Sequence, residues 1–460
     1  MSHRFALRVR LLTLLLCLGF IVSACSPAAP TPAAAEPTNP PSAGEASEEA
    51  PVQTEQPVEA PAEISGTLRV GIWGSPEDID TQTSALEAYK STHPNVDIQY
   101  ESIPGDFAAA YQNAVASGIP YDVMVPGNWL VQGYAAKGLL LDLTPLMERD
   151  GISRDDFYAS AFDALSYQDR VYAMPMGLHV EVVYYNKDMF DQAGLAYPKS
   201  DWTWDEMIEV ADQLTIRDDS GNVTQWGVDI WQSANEWAAY LFQNDTWFMT
   251  EDGKCNLTDP KVQEVFQNFY DIIHTHKVQP SVADLQELSR DQMFLQGKLA
   301  MLGGAHWMAI RIAEDAPDLN YDVAPLPRLA GKEPASVLNV HGWGIFKETQ
   351  YPEAAWDLVK YLSTSWPKPQ MGLIPASKEA AEGPLFLEDP REPEGVQFFL
   401  ESASWPKNGV VPNDPNAGAW YASNMDPALQ AYIAGTLTWE QVVAETCEKA
   451  EVEYNKPVNP

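Results

Sequence analysis

Strand and helix patterns alternate in the chain between residues 67 and 125. Residues 67–73, 96–102 and 122–125 have the apolar patterns of strands, and residues 79–91 and 107–117 have the apolar spacing of helices. This order is typical of a parallel sheet covered by helices. In such sheets, ligands bind beyond the carboxyl ends of the strands. The sequence therefore predicts an α/β fold with its binding crevice near Trp73 and near residues 126–129.

The N-terminus has the features of a bacterial lipoprotein signal. Three arginines within the first ten residues precede an apolar run at 11–22, and the small residues Ser23 and Ala24 stand directly before Cys25. The apolar run is too short to span a bilayer. We expect residues 1–24 to be removed and Cys25 to carry lipid that holds the protein on the outer face of the cell membrane. An ordinary secretory signal peptide is the alternative.

Residues 25–65 comprise Cys25 and a stretch rich in proline, alanine and glutamate. Between residues 26 and 63 there is no lysine or arginine and almost no large apolar side chain. A segment of this composition cannot bury enough apolar surface to fold, and its prolines and like charges favour an extended chain. We expect a disordered tether between the membrane and a folded part that begins near Gly66.

The folded part is too long for one core and strongly acidic. About 400 residues follow the tether, which predicts two domains. The chain has 65 Asp and Glu against 28 Lys and Arg, a formal net charge of −37. This balance argues against nucleic acid or anionic lipid as the ligand. The main effect of the acidic charge is to keep the protein soluble. The more specific alternative is that the protein binds a cationic solute.

The chain has four cysteines. Cys17 leaves with the signal segment and Cys25 takes the lipid. Cys255 and Cys447 remain, and outside the cell they either form a disulfide or stay as two thiols.

Motifs of enzymes and metal sites are missing from the sequence. It contains no His-Glu-x-x-His helix, no Gly-x-Ser-x-Gly elbow, no Walker loop and no paired-cysteine zinc pattern. His274 and His276 are two residues apart at the end of a predicted helix, so they lie on different faces. We expect no enzyme, no cofactor and no metal. A secreted glycoside hydrolase with two carboxylates is the remote alternative.

Six segments of the folded part form a pattern in their order and spacing. They are His93-Pro94-Asn95-Val96, Gly138-Leu139-Leu140, Val171-Tyr172-Ala173-Met174-Pro175, Tyr184-Tyr185-Asn186-Lys187-Asp188-Met189-Phe190, Trp202-Thr203-Trp204-Asp205-Glu206 and Gln296-Gly297-Lys298-Leu299-Ala300-Met301. Together they resemble the extracellular solute-binding proteins of ABC importers, in the sugar-binding branch that includes maltose-binding protein. The resemblance extends over essentially all of the folded part.

The resemblance implies a type II periplasmic-binding-protein fold, in which two α/β lobes enclose a ligand cleft. Each lobe would have a mainly parallel sheet flanked by helices. The first lobe would take residues 66–175 and about 336–366. The second would take residues 176–335 and about 367–460, which puts Cys255 and Cys447 in the same lobe.

The resemblance also implies the ligand and the partners. These are a sugar or oligosaccharide, ABC permease subunits with a separate ATPase, and the membrane through the lipid anchor, with the protein itself a monomer. A polyamine is the alternative ligand, because Asp78, Asp80 and Asp229 offer carboxylates. We expect the lobes to close on the ligand and the permease to recognise the closed form.

Aromatic side chains carry the chemical argument for sugar, because indole rings stack on the apolar faces of sugar rings. The chain has 15 tryptophans, most of which we expect in the core. By the family pattern, Trp307 and Trp420 are the stacking residues of the second lobe, with Trp420 one residue short of the family spacing. His179 stands where the maltose-binding branch has an acidic sugar contact, and a neutral imidazole can still bind hydroxyls.

Five further residues complete the predicted site. Asn128 and Trp129 lie in the loop that carries an aromatic and charged contacts in the maltose-binding branch, although the charges are missing here. Trp73 and Trp343 follow from the position of ligands at strand ends. Gln232, near Trp231 and Trp237, is the last of the set.

Overall fold

The computed structural model describes residues 64–230, 233–412 and 414–457. The signal segment, Cys25 and nearly all of the tether therefore lie outside the described residues, as does Gln232. None of the described helices is both long and apolar enough to cross a membrane.

The chain opens with the predicted alternation of strands and helices. The first five elements are β1 (Gly66–Ile72), α1 (Pro76–Thr92), β2 (Val96–Ser102), α2 (Phe107–Ala116) and β3 (Val123–Met124). Strand β1 pairs in parallel with β2 and with β3, which confirms the parallel arrangement of these three strands. Helix α1 begins in a capping box, in which Ser75 and Asp78 each bind the backbone N–H of the other.

A helical stretch follows and leads through two short strands into a long strand. Its elements are α3 (Asn128–Ala136), α4 (Thr144–Asp150), the 3₁₀ turn Arg154–Asp156, α5 (Ala159–Ala164), β4 (Ser166–Tyr167), β5 (Arg170–Val171) and β6 (Ala173–Val180).

The chain then builds a second sheet. The elements are β7 (Val182–Asn186), α6 (Lys187–Ala193), α7 (Trp204–Leu214), β8 (Ile216–Arg217), β9 (Val223–Asp229), α8 (Ala234–Gln243), α9 (Pro260–His274), the 3₁₀ turn Asp284–Gln286, α10 (Arg290–Leu295), β10 (Leu299–Gly304), α11 (Trp307–Asp315) and β11 (Tyr321–Pro325). Helix α7 starts in the capping box of Thr203 and Glu206 that the sequence predicts.

The C-terminal part returns to the first sheet and ends on the second lobe. It consists of β12 (Leu338–Ile345), α12 (Pro352–Lys360), the π-helical turn Tyr361–Ser365, β13 (Ile374–Pro375), α13 (Lys378–Ala381), α14 (Pro384–Leu387), α15 (Gln397–Ala403), the π-helical turn Gly418–Met425, α16 (Asp426–Ile433) and α17 (Trp439–Tyr454).

Two sheets define the two lobes. The first lobe is built on the six-stranded sheet β13-β6-β12-β3-β1-β2, and the second on the five-stranded sheet β11-β7-β10-β9-β8. Among these strands only β1–β2, β1–β3 and β9–β10 pair in parallel. The sheets are therefore mixed, whereas the resemblance implied mainly parallel sheets. Strands that lie next to a crossing between the lobes, such as β6 and β12, run antiparallel to their neighbours.

The chain crosses between the lobes three times. The first crossing is Glu181, which separates β6 from β7. The second is residues 326–337, between β11 and β12, and the third is residues 388–396, between α14 and α15. Strand pairing moves the first boundary from residue 175 to Glu181, because all of β6 belongs to the first sheet. Strand pairing also extends the C-terminal portion of the first lobe, which was expected to end at residue 366, as far as β13, because β13 pairs with β6.

A disulfide joins Cys255 and Cys447 within the second lobe, with 5.2 Å between their Cα atoms. It connects the segment before α9 to α17. Two hydrogen bonds support the connection: the Cys255 N–H donates to Glu451 and the Asn455 side chain donates to the Gly253 carbonyl.

Candidate functional site

Two cavities lie between the lobes and meet at two histidines. The larger has a volume of about 550 Å³ and the smaller about 350 Å³, and His179 and His341 line both. Trp73 of the first lobe and Trp307 of the second line the larger cavity. Trp129 of the first lobe and Tyr421 of the second line the smaller. Aromatic side chains of both lobes thus face the same cleft.

The aromatic wall of the first lobe is built on Phe107. The Trp73 ring stacks on it at 3.9 Å between centroids, and the Trp73 Nε1–H donates to the Val125 carbonyl at 2.8 Å. Trp129 packs edge-on against both Phe107 and His341, and 38% of its surface stays exposed. Gly127 is needed for this arrangement, since a Cβ there would come within 2.3 Å of the Trp129 ring.

The two histidines are neutral in the folded protein. His341 is buried and His179 is half-buried, their rings stand perpendicular with centroids 5.9 Å apart, and neither buried Nδ1 has a partner among the described residues. Burial, and then the repulsion that a proton on His179 would meet from a protonated His341, hold the pKa of His179 well below its usual value. Burial lowers the pKa of His341 to about 4. Depending on the tautomer, the unpartnered Nδ1 of a neutral imidazole either donates to a ligand hydroxyl or accepts from it.

Lowering the pH below about 6.5 is expected to destabilise the protein through these histidines. In the unfolded chain both rings take up protons below about 6.5, whereas in the folded protein they stay neutral down to a much lower pH. The free energy of unfolding should fall by about 1.4 kcal/mol per ring for each pH unit in that range. Urea unfolding at pH 7, 6 and 5 measures the slope. The H179N/H341N variant should show a shallower slope, and equal slopes would refute the assignment.

Carboxylates surround the mouth of the larger cavity. Glu77 and Asp78 of α1 face Glu314 and Asp315 of α11, and Arg311 is the one cation that lines this cavity among the described residues. Burial and the neighbouring Glu314 carboxyl raise the pKa of Glu77 to about 7. Of the other carboxylates predicted for a polyamine, Asp80 is exposed on α1, and Asp229 is buried against Arg290 and lines neither cavity. No group of three or more His, Cys, Asp and Glu in the described ranges is arranged to hold a metal ion.

Four of the predicted site residues come together in the cleft, namely Trp73, Trp129, His179 and Trp307. Asn128 is fully buried instead, and its Oδ1 accepts the Val340 N–H, so it joins α3 to β12. Trp343 is also fully buried. Because β12 runs antiparallel to β3, its first residues lie at the cleft edge: His341 is level with Gly127, whereas Trp343 lies deeper. The prediction of Trp343 and Asn128 as cleft-lining residues is therefore wrong.

Trp420 does not line the cleft either. It is 1% exposed, packs in the core of the second lobe, and donates from Nε1 to Asp414 at 2.8 Å. Its neighbour Tyr421 lines the smaller cavity. Both lie in the π-helical turn Gly418–Met425, in which side chains change direction relative to an α-helix. In the sequence, Trp420 comes one residue short of the family spacing. This difference was the signal that the next residue, Tyr421, occupies the position in the cleft.

A model of the family "bacterial extracellular solute-binding protein" matches residues 76–365. The chain belongs to this family. Among its relatives, a putative binding protein of Brucella abortus is 25% identical over 312 residues, which are 64% of this chain and 72% of that protein. An arabinooligosaccharide-binding protein of Halalkalibacterium halodurans is 25% identical over 264 residues, which are 54% of this chain and 56% of that protein.

Solved structures match the fold of this solute-binding protein. An ABC substrate-binding protein from Listeria monocytogenes, solved in complex with cycloalternan, superposes with a TM-score of 0.71 at 23% identity. The match covers 85% of this chain and 98% of that one. The expected type II fold of two α/β lobes around a cleft is thereby confirmed.

Proposed function

We propose that this solute-binding protein captures an oligosaccharide between its lobes and delivers it to the permease of an ABC importer. The observation that carries the proposal is the cleft itself, in which Trp73 and Trp129 of one lobe face Trp307 and Tyr421 of the other across two neutral histidines. Rings of this kind stack on the apolar faces of sugars. Two relatives described above support a carbohydrate by name, one with arabinooligosaccharide and one with cycloalternan.

Polar groups suited to hydroxyls stand between the aromatic rings. The Nδ1 atoms of His179 and His341 are buried and without partners in the described part of the chain, so a ligand hydroxyl would satisfy them. Asn235 and Asn339 line the smaller cavity. The Asn235 amide is oriented by donation from Nδ2 to Glu181 at 3.3 Å, which leaves its carbonyl oxygen for the ligand.

The size of the cleft supports an oligosaccharide and not a single sugar ring. The cavities of about 550 and 350 Å³ meet at the histidines, so one ligand can occupy both. Pockets of drug-sized ligands have about 300 to 1,000 Å³, and a monosaccharide would leave much of this volume to water. A ligand that spans both cavities also touches all four aromatic side chains.

Closure of the lobes is the proposed mechanism. A ligand that contacts both lobes stabilises the closed form by its extra contacts there. The crossings provide the hinge: the Ser336 hydroxyl of the second crossing accepts from the Glu181 N–H at 3.0 Å and donates to the Glu181 carbonyl at 3.3 Å. The two crossing segments are thus joined at the place where the lobes would rotate.

A polyamine is the second candidate. The carboxylates of Glu77, Asp78, Glu314 and Asp315 line the larger cavity together with Trp73 and Trp307. Acidic and aromatic side chains in one cavity also suit an extended amine. Sugar remains the preferred ligand, because the smaller cavity has no carboxylate among its lining residues.

We further propose that Cys25 is lipidated and that residues 26–63 tether the receptor near its permease. In the producing bacterium, the C25S variant is expected to move from the membrane fraction to the soluble fraction, because the acyl chains that hold the protein are lost. Immunoblots of both fractions measure the change, with W366A, a substitution in the folded part, as the control that stays membrane-bound. Equal distribution of wild type and C25S would contradict a lipid anchor.

Isothermal titration tests the ligand. The soluble chain from residue 64 onward is unfolded and refolded to remove carried-over ligand, and is then titrated with arabinotriose, maltotriose, cycloalternan and spermidine. Saturable one-to-one heat with an oligosaccharide supports the proposal. Binding of spermidine alone selects the polyamine, and a slow continuing heat would indicate turnover and an enzyme.

A further inference from the structure

His306 is buried at the joint between the second lobe and two returning segments. It immediately precedes α11 and has no exposed surface. Its Nδ1 lies 2.8 Å from the Gly372 carbonyl oxygen, in the loop before β13. Its Nε2 lies 2.8 Å from Oε1 of Glu392, in the third crossing, and the Glu392 side chain is only 3% exposed. Both ring nitrogens therefore have partners, whereas the Nδ1 atoms of His179 and His341 have none among the described residues.

The partners determine where the protons are. A carbonyl oxygen only accepts, so Nδ1 carries a proton and donates it to Gly372. The second hydrogen bond then has one proton between Nε2 and the Glu392 carboxyl, and a charge-assisted bond of this kind is short and strong. Phe386 and Phe399 pack against the ring with centroids 5.2 and 5.3 Å away, so aromatic side chains flank the imidazole.

Trp307 directly follows His306, and both residues contact the loop of Gly372. A Cβ on Gly372 would lie 3.4 Å from the Trp307 Cα, so the loop that accepts from His306 also packs on Trp307. From the other side, the Tyr184 hydroxyl donates to the Ala305 carbonyl at 2.8 Å and accepts the Ala309 N–H at 3.1 Å. The backbone that carries Trp307 is thus held from two sides.

We propose that His306, through its bonds to Gly372 and Glu392, is a positioning residue that aims the Trp307 ring into the ligand cleft. The inference rests on the proposed function, in which the Trp307 ring stacks on a sugar. His306 itself contacts neither cavity, so its effect on binding is exerted through Trp307 and the Met371–Gly372 loop, which do line the larger cavity.

Fluorine NMR of protein labelled with 5-fluorotryptophan tests the positioning without any ligand. The Trp307 resonance is assigned by its loss in W307F. We expect this resonance to shift and broaden in H306A and to be partly restored in H306N, because the asparagine Nδ2 can donate to Gly372 in place of the histidine Nδ1. H274A is the matched control: His274 also bonds a backbone carbonyl, that of Ile433, but lines neither cleft cavity. An unchanged Trp307 resonance in H306A would overturn the proposal.

Titration with the best-binding oligosaccharide of the panel gives the second readout. H306A should bind it about tenfold more weakly, H306N should recover part of that loss, and H274A should bind as the wild type does. E392Q, which keeps a neutral partner for Nε2, serves if H306A does not fold, and should also move the Trp307 resonance. Wild-type affinity in a folded H306A would overturn the positioning role. If no oligosaccharide binds the wild type, the proposed function fails. The fluorine resonance of Trp307 then decides alone whether His306 positions the Trp307 ring.

Discussion

Replacing Trp307 with alanine is expected to weaken oligosaccharide binding about 30-fold, a loss of about 2 kcal/mol. Trp307 is the first residue of α11 and projects from the second lobe into the larger cavity, opposite Trp73. Its removal deletes a stacking surface in the middle of the interface between lobe and ligand. Because the ring is half-buried and not a core residue, the fold should survive. Isothermal titration of W307A measures the effect.

W366A is the matched control for this experiment. Trp366 is also half-buried, but it lines a separate pocket on the first lobe and neither of the cleft cavities. Its replacement should leave the dissociation constant within about twofold of the wild-type value, as for a residue outside the binding site. Equal affinities of W307A and wild type would contradict the role of Trp307, and equal losses in W307A and W366A would point to a general effect on the fold.

Removing the disulfide is expected to destabilise the protein strongly without changing ligand affinity. The bridge joins residues 192 apart in sequence, and the chain-entropy model assigns about 5 kcal/mol to a loop of that size. The C255S/C447S variant should therefore lose about 2 to 5 kcal/mol of unfolding free energy. Neither cysteine lines the cleft cavities, so the folded variant should bind as the wild type does.

Denaturant unfolding with and without reductant measures this loss. Reductant should destabilise the wild type to the level of the variant and should have no effect on the variant itself. An unchanged midpoint in C255S/C447S would contradict a stabilising bridge. A large drop in affinity at temperatures where the variant is folded would mean that α17 influences the cleft.

Local patterns predicted much of the fold. The strand and helix patterns between residues 67 and 125, and the capping signal at Thr203, depend on side chains close in sequence, and the structure confirms them. Strand direction beyond β3 depends on how the chain returns from the other lobe. No local pattern encodes that return, which is why the mixed sheets and the boundary at Glu181 were not predicted.

Position along a strand or family spacing was enough to predict four residues that line the cleft. Trp73, Trp129, His179 and Trp307 line the cleft, and their role in binding stays a prediction. Trp343 failed because β12 enters the sheet from the opposite direction, so His341 occupies the cleft edge. Trp420 failed because a π-helical turn changes the direction of side chains, and Tyr421 lines the cavity instead. Both errors concern side-chain direction, which tertiary structure determines.

A crystal structure of the protein with the best-binding oligosaccharide tests the central claim most directly. We predict one ligand that spans both cavities, stacked on Trp73 or Trp129 of the first lobe and on Trp307 of the second, with hydroxyls within hydrogen-bond distance of His179 and His341. A ligand held by one lobe alone, or bound outside the two cavities, would contradict the account.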